Sequence, residues 1–81
     1  MAKINVNSMK KQNKERYSIQ EEVEARYSVF EKEGERIFQI DTYGRSDRVE
    51  PEKSSQIIQL DEKSAKSLIK LLIEAFHILD E

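Results

Sequence analysis

His77 is the only histidine in this chain, and there is no cysteine. A Ser-His-Asp or Cys-His arrangement would have to borrow that one imidazole, and nothing in its spacing supports a triad. It lies near the end of an apolar stretch, Leu71 to Leu79, where a structural role or contact with a helix terminus fits better. Without cysteine there is no disulfide framework and no thiolate metal site. Asp47, Glu50 and Glu52 do not follow the calcium-loop pattern. Gly34 and Gly44, the only glycines, are too few for a phosphate-cradling loop. The carboxylates cluster at a hairpin tip and a loop, and Asp41 reads as one half of a cross-strand ion pair rather than a general base. We therefore expect no catalytic residues, no metal and no cofactor: the chain is not an enzyme.

Binding chemistry is better represented. One face of a predicted sheet would display Arg26, Ser28, Phe30, Arg36, Ile37, Gln39, Tyr43, Ile57 and Gln59. Bases of single strands stack on aromatic rings while basic groups hold phosphates. Arg45, Arg48 and Lys53, in the segment after Tyr43, would extend the positive rim. The expected nucleic-acid-binding set is Arg26, Arg36, Tyr43, Arg45, Arg48 and Lys53. The competing reading is a half-solvated outer face or a second sheet interface.

The elements that would position these residues start with a hairpin. Glu24 to Glu31 and Glu35 to Tyr43 become complementary when the chain folds back at Glu33-Gly34, where glycine accepts positive φ. This register sets Val29 opposite Phe38, Tyr27 opposite Ile40 and Ala25 opposite Thr42 on a mainly apolar face. The pairs Glu31 with Arg36, Phe30 with Ile37, Ser28 with Gln39 and Arg26 with Asp41 are assigned to the other face. Ser18-Ile19-Gln20-Glu21 has capping-box form, so a helix over 19–26 competes with the first strand. Alternation from Val23 onward, with Tyr, Val and Phe, favours the strand.

A long loop follows Tyr43, either a plain connection or a binding element. Ser55 to Leu60 reads as a third strand, with Ile58 and Leu60 on the core face. Asp61 is a good N-cap for a helix running to about Leu79. Its main stripe is Ala65, Leu68, Leu72, Phe76 and Leu79. The expected core is Phe38, Ile40, Leu60, Leu68, Leu72 and Phe76. Leu71, Ile73, Ala75 and Ile78 widen the apolar surface beyond what one small sheet can bury. We expect these four to form a homodimer interface; a different protein partner, or packing on the segment near Ile19, are the alternatives.

Apolar and charged residues each make up 37% of the 81 positions, so the domain is single and its core lean. Residues 1–17 carry five cations against Glu15, a net of +4, which leaves −6 on residues 18–81 of a chain whose total is −2. The expected organisation is a flexible basic N-terminal tail, 1–17, and a single α+β domain, 18–81. That basic arm could contact nucleic acid or simply be solvated. No leader-like apolar segment or membrane-length run is present, and a cytoplasmic setting is expected.

The stretch Ile40-Asp41-Thr42-Tyr43, a polar loop with Pro51-Glu52-Lys53, a strand ending at Leu60 and a capped amphipathic helix resemble a known group. This is the C-terminal domain of the transcriptional coactivator positive cofactor four, with its bacterial single-stranded-DNA-binding relatives and the Whirly proteins. The resemblance covers residues 35–79 and rests on layout. The group's Pro-Gly-Lys turn is Pro51-Glu52-Lys53 here, its usual helix aromatic is replaced by Ala65 and Leu68, and its sheet is richer in lysine. The resemblance implies a curved antiparallel sheet followed by one long helix. It also implies a homodimer through that helix, single-stranded DNA bound on the sheet and loops, and work in transcription or DNA maintenance. The alternative is a protein-interaction module, such as a small regulator or inhibitor of a larger enzyme.

Overall fold

The computed structural model of the protein describes residues 1–44 and 54–78. Its element order is β1 (Ala2–Lys3), a 3-10 turn (Val6–Ser8), β2 (Glu24–Lys32), β3 (Glu35–Tyr43), β4 (Gln56–Leu60) and α1 (Glu62–Phe76). The four strands form one mixed sheet in the order β1-β4-β3-β2, followed by the single helix, an α+β layout.

The hairpin has the expected register along its whole length, from Lys32 opposite Glu35 to Glu24 opposite Tyr43. Glu33 at φ 53° and Gly34 at φ 79° make the two-residue turn. Two positive φ values in succession match the twist of the flanking strands. The strand therefore wins over the competing helix at its start, and no helix forms over 18–23.

β4 pairs antiparallel with β3, placing Leu60 opposite Phe38 and Ile58 opposite Ile40. Side chains alternate between faces, so one face carries Tyr27, Val29, Phe38, Ile40, Ile58 and Leu60. The opposite face carries Arg26, Ser28, Phe30, Ile37, Gln39, Asp41, Tyr43, Ile57 and Gln59.

The segment read as a flexible tail contributes to the sheet. Ala2–Lys3 pairs parallel with β4, with Lys3 opposite Gln59, and the Ile4 amide donates to the Gln59 carbonyl at 2.9 Å. Lys3 Nζ reaches Glu35 Oε1 at 2.8 Å, and that hydrogen bond raises the lysine pKa.

Asp61 caps α1. Its carboxylate accepts from the Ser64 amide at 2.9 Å, while the Asp61 amide donates to Ser64 Oγ at 3.0 Å. This is a reciprocal capping box with serine at the third helical position. The Asp61 pKa is lowered, chiefly by the bond from the Ser64 amide. His77 ends the helix in the left-handed region, φ 54°, with its amide donating to the Ile73 carbonyl. That gives the histidine a position in helix termination, as its place in the sequence suggested.

The core departs from expectation. Ile37, at 6% exposure, and Leu60, at 8%, are the buried apolar side chains among the described residues. Ile37 lies on the face assigned to solvent and ligand. Leu72 and Phe76, expected in the core, are 42% and 71% exposed. The reason is geometric: α1 makes its main contacts with β4 and the 3-10 turn rather than with the β2–β3 hairpin. The radius of gyration is 15.1 Å, against about 12 Å for a compact chain of this length.

Candidate nucleic-acid interface

The sheet face opposite Phe38 and Leu60 is built by period-2 alternation in three strands, which sets its side chains in rows. Across it runs a chain of hydrogen bonds. Gln59 Nε2 donates to Gln39 Oε1 at 2.8 Å, and Gln39 Nε2 donates to Asp41 Oδ1 at 2.8 Å. Ser54 Oγ donates to Asp41 Oδ2 at 2.6 Å. Those two donors, Ser54 first, hold the Asp41 carboxyl below its ordinary pKa. The ladder orders the middle of the face without an apolar side chain in it. Phe30, Ile37 and Ile57 flank it in the same plane.

Arg26 and Tyr43 sit together at the end of this face remote from the hairpin turn. The guanidinium lies 4.4 Å from the centre of the Tyr43 ring. It is also held by Glu24, with Nε to Oε2 at 2.6 Å. A stacked guanidinium presents a flat, ordered donor edge beside an aromatic surface. The polypeptide leaves β3 beyond Tyr43 toward Arg45, Arg48 and Lys53, which lie outside the described residues, as does Leu79.

The expected site is thus brought together only in part. Arg26 and Tyr43 are neighbours. Arg36 is not with them: two residues before Phe38, it shares a face with Phe38 and Ile40, so it and its partner Glu31 belong to the apolar face. Assigning the Glu31–Arg36 pair to the outer face breaks the two-residue period, and the structure corrects it. Arg36 approaches Glu31 at 3.3 Å with both side chains well exposed.

On that apolar side a cleft of about 260 Å³ opens between the sheet and the first turn of α1. Val29, Phe38, Leu60 and Ala65 form its apolar wall, and Arg36, Asp61 and Glu62 its rim. Tyr27 stacks on Phe38 with ring centres 5.4 Å apart, extending the apolar wall. The four residues expected at a dimer interface divide: Leu71, Ala75 and Ile78 are exposed and Ile73 is half-buried. The cleft and the Gln59–Gln39–Asp41–Ser54 ladder escaped the sequence reading. The ladder's signal was present, since the register places Gln39, Asp41 and Gln59 side by side.

No group of three or more His, Cys, Asp or Glu side chains that could hold a metal is found among the described residues. No helix among them is long and apolar enough to cross a membrane. Comparison with models of protein families, with curated proteins and with solved structures finds no match.

Proposed function

We propose that this chain is a non-catalytic protein that binds single-stranded nucleic acid on the sheet face bearing Arg26, Phe30 and Tyr43. The observation that carries the reading is the Arg26–Tyr43 contact, 4.4 Å from guanidinium to ring centre, next in the chain to the segment bearing Arg45, Arg48 and Lys53. It is a stacking surface for a base and a donor edge for a phosphate, ordered before any ligand arrives. Arg45, Arg48 and Lys53 supply phosphate contacts, and Lys10, Lys11, Lys14 and Arg16 add long-range attraction. Arg36 is not included, because it serves the opposite face.

Titration of a labelled oligothymidine at two salt concentrations tests this. Affinity falls steeply with salt when phosphates are neutralised, and replacing Arg45, Arg48 and Lys53 together flattens the slope by about 2. Tyr43→Ala costs about 1–3 kcal/mol if a base stacks there. No binding at low salt would overturn the reading. It would leave the protein-interaction module, which one observation favours: Lys3, Arg26 and Arg36 each pair with a carboxylate, lowering the field a phosphate would meet.

A further inference from the structure

Residues 1–9 join the fold through a small set of contacts centred on one side chain. Ala2–Lys3 pairs parallel with Ile58 and Gln59, and the Ile4 amide donates to the Gln59 carbonyl. Lys3 Nζ lies 2.8 Å from Glu35 Oε1 at the start of β3, and its charge is felt at Asp61, the cap of α1. The 3-10 turn that follows is closed by the Ser8 and Met9 amides and meets α1. One ammonium thus ties β1 to the hairpin and to the start of the helix. We infer that residues 1–9 are a releasable strap that fastens α1 to the sheet, with Lys3 as its clasp.

The strap is built to open before the rest of the fold. Its ladder is two residues long, against nine in each strand of the hairpin. Ala2 and Lys3 are exposed, Ile4 and Val6 half-buried, and none of them is buried as Ile37 and Leu60 are. A cleft of about 350 Å³ opens between residues 3–7 and Asp61 and Lys63, so the strap is not closely packed on the first turn of α1. The clasp faces water: the Lys3 and Glu35 side chains keep 40% and 50% of their surface exposed. Pairs of that kind contribute little, and salt screens them. From residue 9 to residue 23 the chain enters no helix or strand, so no element close behind the strap holds it down. Units with few buried apolar groups open at a far lower free energy than the whole molecule.

Release has two consequences. β4 loses its neighbour on that side, so the backbone groups that faced β1 turn to water. The helix loses one of its two main supports, since β4 and the 3-10 turn are the elements it meets most. The capping box at Asp61 and Ser64 lies directly after β4 and does not involve the strap, so the first turn keeps its place. The turns farther from the cap are the ones that gain freedom. The fold therefore has a seated and a released state, and ionic strength shifts the balance between them. This inference is independent of nucleic-acid binding.

Hydrogen exchange of the full chain at low micromolar concentration, read by mass spectrometry with residue-level fragmentation, tests this at about 20 mM and about 500 mM sodium chloride. The Ile4 amide should be protected roughly 100-fold less than the Ile37 amide of the hairpin. Lys3→Glu should lower Ile4 protection roughly 3-fold or more at the lower salt, and adding Glu35→Lys should recover about half of that change or more. Raising the salt should lower Ile4 protection in the native chain and leave it unchanged in Lys3→Ala. Wherever Ile4 loses protection, residues 69–76 should lose it in step while Ile37 keeps its own. Should Lys3→Glu lower Ile37 as well, the salt series on the native chain decides by the same readings. Equal protection at Ile4 and Ile37 overturns the inference, because the strap then opens only with the whole chain. An Ile4 amide indifferent to both salt and Lys3→Glu removes the clasp. Residues 69–76 that stay protected while Ile4 does not would show that the strap fastens nothing.

Discussion

Asp61 is the residue whose chemistry most directly supports an element. Its carboxylate holds the first turn of α1, and its native pKa lies below the ordinary value of 3.8 because the Ser64 amide donates to it. A depressed carboxylate contributes stability that is fully present above its unfolded pKa and lost as pH falls through its native one. Asp41, lowered by Ser54 and Gln39, acts in the same direction. Thermal melts should therefore show a loss of melting temperature below about pH 4. Asp61→Asn keeps a capping oxygen but cannot titrate there, so its acid limb should be shallower than that of the native chain, with Asp41 accounting for what remains. An Asp61→Asn chain with an unchanged acid limb would show that the cap does not couple to protonation.

At the scale of elements, the two sheet faces should respond differently to truncation. Ile37→Ala removes a side chain buried within the chain and should cost about 2–5 kcal/mol in urea unfolding at any protein concentration. Leu72→Ala removes one that is 42% exposed, so in dilute protein it should cost well under that range, with the remainder appearing only where copies associate. The hairpin behind this comparison was legible in the sequence because three signals agree on one register: alternation, opposite-charge pairs and a glycine at the turn. The cap at Asp61 and the third strand were legible for similar local reasons. The side to which Arg36 belongs was open to the same logic but misassigned, since residues 36 and 38 must share a face. β1 left no trace, because two residues, Ala2 and Lys3, carry no period. The placement of α1 was not legible either. An amphipathic stripe states which side of a helix avoids water and not which surface covers it, so Leu72 and Phe76 were given to the chain's own sheet. Of the binding site, the nearness of Arg26 and Tyr43 follows from the register, whereas the cleft depends on where the helix leaves β4.

For the whole molecule, the 15.1 Å radius of gyration and a core with Ile37 and Leu60 as its buried apolar side chains among the described residues make association between copies the property to test. If folding and association are coupled, stability is a function of concentration, because mass action favours the associated native state. Each tenfold rise in protein concentration adds about 1.4 kcal/mol per mole of dimer. For a pair of 81-residue chains melting together, that corresponds to a rise in melting temperature on the order of 3–6 °C. Differential scanning fluorimetry or circular dichroism between 2 and 200 µM should show this drift. Ile69→Glu should abolish it, giving one low melting temperature at every concentration. Ile37→Ala should lower the whole curve and keep its slope, since its side chain sits within the chain. A native melting temperature that does not move across two decades of concentration would mean that one copy is the complete cooperative unit and that its uncovered helix and cleft are tolerated in water.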